Sequence, residues 1–414
     1  MGKYSKPFPH FYEISFVLLT DRGMIPQNQI PHILKYMGGK REMLTDIHRI
    51  IDQINVRSDF FCDLFSGTAI VSYSVSDRFN VVSNDIQIYS SILAKAYFNN
   101  YSNYNPDSTT STILEESNSI VDSVQQRFPE LCFPYREEMT FEEMQEMENA
   151  QMRLINHDFR MGFSLFKRCY SGTYWSYEQC LWIDAIRAVA ERYKGDAIYY
   201  PIIASLIFAL SYSTQSTGHF AQFRSLSKNN YKSILLYRMR SIPELFRRKL
   251  IELLTNLRHP VIHSLRTSSL DYKDCIVTLP KSTLVYADPP YSAVHYSRFY
   301  HVLETLVRYD NPRIAYKGRY REDRYQSPFD QKSHVIEAFE VLFNAIAAKE
   351  SDLILSYSDN AILTESELDS IAKSCLGANY TTGTSVKDYY HMTMGRADEG
   401  QLPVHELLKV YQRK

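Results

Sequence analysis

Phe60-Phe61-Cys62-Asp63-Leu64-Phe65-Ser66-Gly67-Thr68-Ala69 is the stretch that decides the fold. An apolar run of strand length gives way to small residues and a glycine. A helical pattern then starts in Thr68 to Ser76. A second strand-like run follows at Asn80-Val81-Val82-Ser83. After it, Ile88, Ile92, Leu93 and Ala96 recur at helical spacing within Ile86 to Phe98. Strand, turn, helix, strand, helix is the opening of a doubly wound parallel sheet. Such sheets bind ligands beyond the carboxyl ends of their strands, so Asp63 to Ala69 and Asn84-Asp85 are the first places to look for a site.

Working outward, Ser, Asn, Thr and Asp dominate from about Asn99 to Ser119, which reads as a surface linker. The acidic stretch Glu137 to Glu148 reads as an exposed helix. Helical patterns continue at Leu181–Tyr193, Ile202–Leu210 and Ile242–Leu257, so the middle of the chain is expected to be largely helical. The sheet pattern resumes near Val261-Ile262. Leu284-Val285-Tyr286-Ala287 and Leu353-Ile354-Leu355-Ser356 suit buried parallel strands. His334 to Ala348 reads as a helix between them, and His405 to Tyr411 as a closing strand. The expected fold class is α/β, a Rossmann-like sheet interrupted by a mainly helical insertion. Its parts are expected at residues 1–100, 101–260 and 261–414.

The first thirty or so residues show no clear period and are punctuated by Pro26 and Pro31. Ile14 to Leu19 is too short for a signal segment, and Tyr200 to Leu210 too short to span a bilayer. The six cysteines are scattered with no C-x-x-C pair, which argues against a zinc site or a disulfide scaffold. A soluble protein of the reduced cytoplasm is expected, with no membrane partner and no metal requirement. The chain has 414 residues and a net charge of −1, so any polyanion must meet basic residues segregated onto one face.

The strongest chemical signal is Asp288-Pro289-Pro290-Tyr291, placed directly after the apolar run Leu284 to Ala287. Two prolines fix the backbone and leave carbonyls without competing N–H groups. The Asp288 carboxylate and the Pro289 carbonyl form an acceptor pair, and Tyr291 supplies an aromatic face. That set suits methylation of the exocyclic amine of adenine. The amine is a poor nucleophile because its lone pair is delocalised into the ring. Accepting both amino hydrogens favours a pyramidal nitrogen, while the tyrosine stacks on a flipped base.

The glycine turn at Gly67 lets a ligand approach the backbone beside a helix N-terminus. An acid after the second strand, here Asp85, is the usual partner of ribose hydroxyls in this topology. Lys35-Tyr36-Met37-Gly38-Gly39-Lys40 is not a phosphate-binding P-loop, because Gly-x-x-x-x-Gly-Lys-Ser/Thr is absent. Its Gly-Gly turn between Tyr and Lys suits clamping an adenosine and a carboxylate.

These four elements, in this order, resemble the class of DNA adenine methyltransferases to which the Dam methylases belong. That class carries a Lys-Trp-Ala-Gly-Gly-Lys-like start, a Phe-x-Gly-x-Gly turn, an acidic ribose site and then Asp-Pro-Pro-Tyr. The resemblance covers about residues 33–100 and 260–414, with a target-recognition region inserted between. Tyr296 to His301, Ser356-Tyr357-Ser358-Asp359, Trp182 to Arg187 and Thr217-Gly218-His219-Phe220 resemble further segments of one branch. The resemblance implies an S-adenosyl-L-methionine-dependent enzyme that methylates N6 of adenine in DNA. A restriction-modification or phage-defence setting, with a cognate endonuclease as partner, is also in keeping with it.

Carried over by position, Asp288, Pro289, Pro290 and Tyr291 match the catalytic motif. Tyr36, Gly38, Gly39, Lys40, Asp63, Phe65, Gly67, Asp85 and Asp288 match cofactor-contacting positions. Tyr36 stands where the class commonly has Trp, Met37 where it has Ala, and Ala69 where it has a second glycine.

For DNA, two basic stretches stand out. One runs from Gln222 to Lys249 and includes Arg224, Lys228, Lys232, Arg238 and Lys249 against the single acid Glu244. The other contains Arg308, Arg313, Lys317, Arg319, Arg321 and Arg324. Arg224, Lys228, Lys232, Tyr296, Arg298, Lys317 and Arg319 are the candidate DNA contacts. Three alternatives remain open at this level: N4 of cytosine as acceptor, RNA as substrate, or a catalytically silent DNA-binding module.

Overall fold

The run that opens at Phe60 forms an interior strand of a seven-stranded sheet, next to the middle one, and its Phe61, Cys62 and Asp63 are buried. The computed structural model describes residues 23–34, 36, 38–216, 219–258, 263–291, 295–390 and 403–414. The expectations for residues 1–22, Lys35, Met37, Thr217-Gly218 and Val261-Ile262 fall outside these.

The strands are β1 Phe60–Asp63, β2 Asn80–Asn84, β3 Leu265–Ser268, β4 Leu284–Ala287, β5 Asp352–Ser358, β6 Tyr380–Tyr390 and β7 Pro403–Arg413. Their spatial order is β3-β2-β1-β4-β5-β7-β6. The first five are parallel, and β7 runs antiparallel to both β5 and β6. The architecture is mixed α/β around a mainly parallel sheet. The order departs from β1 in both directions, so a crevice opens where β1 and β4 end side by side. Asp63 pairs in register with Tyr286, two residues before Asp288.

Successive residues alternate between two cores, as strand geometry requires. Phe61, Val81, Leu284, Tyr286 and Ile354 face one. Cys62, Val82, Val285, Leu353 and Leu355 face the other. Before β3 the helices are α1 Leu44–Gln53, α2 Ile70–Ser74, α3 Ile88–Phe98, α4 Pro106–Arg127, α5 Phe141–Met152, α6 Leu165–Tyr170, α7 Tyr177–Arg192, α8 Tyr199–Ser213, α9 Tyr231–Arg238 and α10 Ile242–Asn256. Then come α11 Tyr272–Thr278, α12 His301–Arg308, α13 Val335–Ala348 and α14 Glu365–Leu376. Residues of α11, α13 and α14 cover the second face. The first face continues without a break into α7, α8 and α10, so the middle of the chain shares its core with the sheet. Nearly every residue of α8 is buried, which is why Tyr200 to Leu210 reads as apolar all round.

The polar stretch after Asn99 is not a linker. Asn105 caps α4 by accepting from the Ser108 amide, and Pro106 stands in its first turn. Thr110, Ile113, Leu114, Ser117, Val121 and Val124 form its buried stripe. Small hydroxyl residues occupy two places on that stripe, and Ser117 satisfies itself on the Ile113 carbonyl, so composition hid the period. The acidic helix is also less exposed than expected. Its Glu148 is buried and holds Arg238 in a two-bond ion pair at 2.6–2.7 Å. Strand β6 carried no clear signal, because an edge strand reading Thr-Thr-Gly-Thr-Ser lacks an apolar face.

Candidate active site

Every element of the site comes from a turn at the carboxyl edge of the sheet or packs against one. After β1, Gly67 adopts φ +49, and its amide donates to Asp85 Oδ2 at 2.9 Å. Asp85 Oδ1 accepts from the Gln87 amide at 2.9 Å, so one carboxylate pins the turn after β2 to the turn after β1. Asp63 is wholly buried and accepts from the Ser72 amide at 3.0 Å and the Ser72 hydroxyl at 2.7 Å. It thereby anchors the first turn of α2 to β1. Phe65 points to the other side and packs against Tyr272 and Phe329.

The Tyr36-to-Lys40 segment closes over these turns. Gly38 has φ +71, and the Gly39 amide returns to the Tyr36 carbonyl at 3.3 Å, which makes the tight turn the two glycines promised. The Tyr36 ring stacks on Tyr300 at 4.4 Å between centroids with planes 16° apart, and Tyr296 meets it edge-on at 6.0 Å. The Tyr89 hydroxyl lies 3.5 Å from that of Tyr36. Residue 36 is therefore one wall of a tyrosine cluster fed by α3 and the segment leading into α12. Tyr296 belongs to this cluster.

On the far side, Lys40 Nζ lies 3.1 Å from Asp288 Oδ1 and 2.8 Å from Glu406 Oε1. Glu406 Oε1 also accepts from the Ser356 hydroxyl at 2.7 Å, and Tyr291 Oη is 3.4 Å from Glu406 Oε2. Pro289 is buried and Pro290 half-buried. Tyr291 sits edge-on to Tyr357 with centroids 6.0 Å apart, and Lys40 Nζ is 5.9 Å from its ring. The end of β4 thus meets the turn before α1 and the antiparallel strand β7 at one point.

The electrostatics are those of an acidic cleft. Burial pushes the Asp63 carboxyl up to about 7, against the hydrogen bonds from Ser72. Burial likewise raises Asp85 to about 6, against the Gln87 and Gly67 amides. Burial raises Asp288 to about 6 as well; Lys40 opposes the rise and Glu406 reinforces it. Burial works against the charge on Lys40, but Asp288 and Glu406 outweigh it and hold the ammonium well above the ordinary lysine range. A pocket that keeps three carboxylates half-reluctant to ionise gains most from a cation placed among them.

The basic residues divide. Arg224, Lys317 and Arg319 line one cleft of about 430 Å³ beside α5, together with Gln215 and Phe223. Arg319 is half-buried and donates to the Cys169 carbonyl at 2.9 Å. Lys228 and Lys232 are exposed at and near the start of α9, with Lys228 3.6 Å from Glu142. Arg298 is half-buried over the Phe299 ring. Other members of the two basic stretches are committed internally. Arg238 pairs with Glu148, Lys249 with Glu252, and Arg308 and Arg321 with Asp310 and Asp323. The expected excess of free positive charge is reduced accordingly: Glu148 reaches it from 90 residues away, and Glu252, Asp310 and Asp323 pair with it from nearby in sequence.

Glu406 and Tyr89 escaped the sequence reading as site residues. A lone acid among the apolar residues of His405 to Tyr411 was the available sign for Glu406, since a strand buried on both faces tolerates a charge only beside a partner. Among the described residues no group of three or more His, Cys, Asp or Glu side chains is placed to hold a metal ion.

A mainly parallel sheet whose order reverses beside an Asp-Pro-Pro-Tyr turn is consistent with a methyltransferase fold. The model of the D12 class of N6 adenine-specific DNA methyltransferases matches residues 36–357, and the chain belongs to that family. It is 27% identical over 350 residues to the Type II methyltransferase M.FokI of Planomicrobium okeanokoites, covering 82% of this chain and 47% of that protein. It is 24% identical over 345 residues to the modification methylase LlaI of Lactococcus lactis subsp. lactis, with 82% and 48% covered. The Type II methyltransferase M.NlaIII of Neisseria lactamica is 24% identical over 349 residues, with 82% of this chain and 87% of that protein covered. The chain spans about half the length of the first two relatives.

Proposed function

We propose that this chain transfers a methyl group from S-adenosylmethionine to N6 of an adenine flipped out of DNA. The observation that carries the reading is the approach of Lys40 to Asp288, 3.1 Å, at the mouth of the crevice between β1 and β4. Family membership supports the reaction class.

The residues present fit the cofactor. Asp63, buried, and Asp85 and Asp288, half-buried, form a set of desolvated carboxylates that a cationic ligand relieves. In this reading Asp85 meets the ribose hydroxyls, Gly67 lets Tyr36 lie against the turn after β1, and Tyr36 with Gly38, Gly39 and Lys40 closes the opposite wall. Bound S-adenosylmethionine supplies an electrophilic methyl on a sulfonium. The Asp288 carboxylate and the Pro289 carbonyl accept the two amino hydrogens of adenine and favour the nitrogen geometry that exposes its lone pair. The Tyr291 ring stacks on the extruded base, offsetting part of the few kcal/mol lost on unpairing, with about 1–3 kcal/mol from stacking.

In this reading residues 1–100 and 261–414 make the catalytic part, and 101–260 are an inserted target-recognition part. Arg224, Lys317 and Arg319 in their common cleft, together with Lys228, Lys232 and Arg298, contact DNA phosphates or bases. Relatives bearing the names of modification methylases support a restriction-modification setting, with a cognate endonuclease as partner. Action in the cytoplasm is part of this reading; among the described residues no helix is long and apolar enough to cross a membrane. Nucleoside mass analysis of unmethylated DNA incubated with protein and cofactor tests the assignment. N6-methyladenine is the expected product; N4-methylcytosine, or no modified base, would refute it.

A further inference from the structure

Glu406 lies on β7, two strands away from β4, yet its side chain reaches the ammonium that faces Asp288. It is 2% exposed and carries no aqueous screening. Ser356, on the intervening strand β5, fixes Oε1 from one side and Lys40 fixes it from another. The lysine is nearer to Glu406 (2.8 Å) than to Asp288 (3.1 Å). A buried lysine beside a single carboxylate forms a neutral pair that ties up that carboxylate. Between two carboxylates, the same lysine leaves the trio with net charge −1.

We propose that Glu406 is a positioning residue for methyl transfer: it holds the Lys40 ammonium on the side of Asp288 away from the base and keeps the Asp288 carboxylate available as an acceptor. The contact rests on the proposed reaction only for its consequence; the geometry stands without it. The shared lysine orients one Asp288 oxygen, and the second negative charge keeps Lys40 from drawing that carboxylate into a closed pair. Tyr291 joins the same arrangement through its 3.4 Å approach to Glu406 Oε2, so the aromatic platform and the acceptor share one anchor.

The groups that act on Asp288 are Lys40 from the Gly-Gly turn, Glu406 from β7, Asp63 from β1, Tyr286 from β4, Tyr291 from its own turn, Tyr296 from the segment before α12, and the Ser356 hydroxyl from β5, which favours the ionised form. Of these, Glu406 is the carboxylate that shares the lysine. Removing its charge makes Asp288 easier to ionise, so an activity that needs ionised Asp288 persists to lower pH.

The test compares Glu406→Gln, which keeps shape and removes charge, with Glu406→Asp, which keeps charge and shortens the reach. In Glu406→Gln the acid limb of the pH profile of kcat should move down by about one pH unit, and kcat at neutral pH should fall about tenfold while KM for DNA holds. In Glu406→Asp the limb should stay where the wild type has it. An unmoved limb in Glu406→Gln, or equal movement in both variants, overturns the proposal. A merely structural role lowers both kcat and melting temperature without moving the limb. Carboxyl NMR titration of Asp288 in the same variants reads the contact directly. If the wild type modifies no DNA, the assigned reaction fails while this titration still decides the role of Glu406; should Glu406→Gln fail to fold, the titration of Glu406→Asp against wild type decides it, and a shift of Asp288 there overturns it.

Discussion

The Tyr36 phenol lies across Gly67 so closely that a Cβ on residue 67 would sit 2.9 Å from its oxygen. The Gly-Gly clamp and the turn after β1 are therefore one unit, separated in sequence by thirty residues and in contact in space. Gly67→Ala has to displace Tyr36 and also to hold φ +49, a backbone region that costs a non-glycine residue about 1–2 kcal/mol. Cofactor affinity should drop tenfold or more by titration calorimetry with the fold retained. Unchanged affinity would show that Tyr36 can leave without consequence for the pocket.

Ala69 stands where the family pattern has a second glycine, and it adopts φ 59, ψ 19 at the start of α2. The left-handed conformation is the reason for glycine there. Ala69→Gly should therefore stabilise the protein by up to about 1 kcal/mol, a rise of roughly 1–2 °C in Tm for a chain this long. A fall in Tm would mean that the buried methyl group outweighs the backbone strain.

The acidic cleft links ligand binding to protons. Asp63, Asp85 and Asp288 have folded values of about 7, 6 and 6, raised above those of the unfolded chain. Between about pH 4 and those values the folded state holds protons the unfolded state has lost. These groups stabilise the protonated fold below that window, and the contribution is lost as pH rises through it. A bound cation favours their ionised forms, so cofactor binding at pH 6 should release protons, and at pH 8.5 release should vanish. Calorimetry in two buffers of different ionisation enthalpy measures this directly. Proton uptake at pH 6 would contradict the placement of the cation.

Tyr291 has two attachments, its ring face and its hydroxyl beside Glu406. Tyr291→Phe keeps the face and loses only a long hydrogen bond, so kcat/KM should fall no more than about threefold. Tyr291→Ala loses the stacking surface and should cost about 10- to 100-fold. Steady-state kinetics on a duplex substrate separates them. Equal losses would remove the stacking role.

Much of this arrangement was legible in the sequence, for a physical reason. The turns after β1, β2 and β4 join local strand signals to residues with special backbone needs, and the order of those signals carries the topology. Strand β4 and the Asp288 turn, α13 and β5 fell where the pattern placed them. Helix α4 was hidden because hydroxyl residues share its buried stripe. The basic stretches looked freer than they are because Glu148 reaches Arg238 from 90 residues away, and because Asp310 and Asp323, inside the second stretch, clasp its arginines. Glu406 was out of reach for a different reason: its partners Lys40, Tyr291 and Ser356 lie 366, 115 and 50 residues away, and only the pairing of β7 with β5 brings them together.

The most direct measurement of the central claim is single-turnover methylation by Asp288→Ala, read alongside its affinity for the same duplex. Loss of the acceptor carboxylate should slow transfer at least a thousandfold, about 4 kcal/mol of transition-state stabilisation, while duplex Kd stays within about threefold. Methylation near the wild-type rate by that variant would contradict the account.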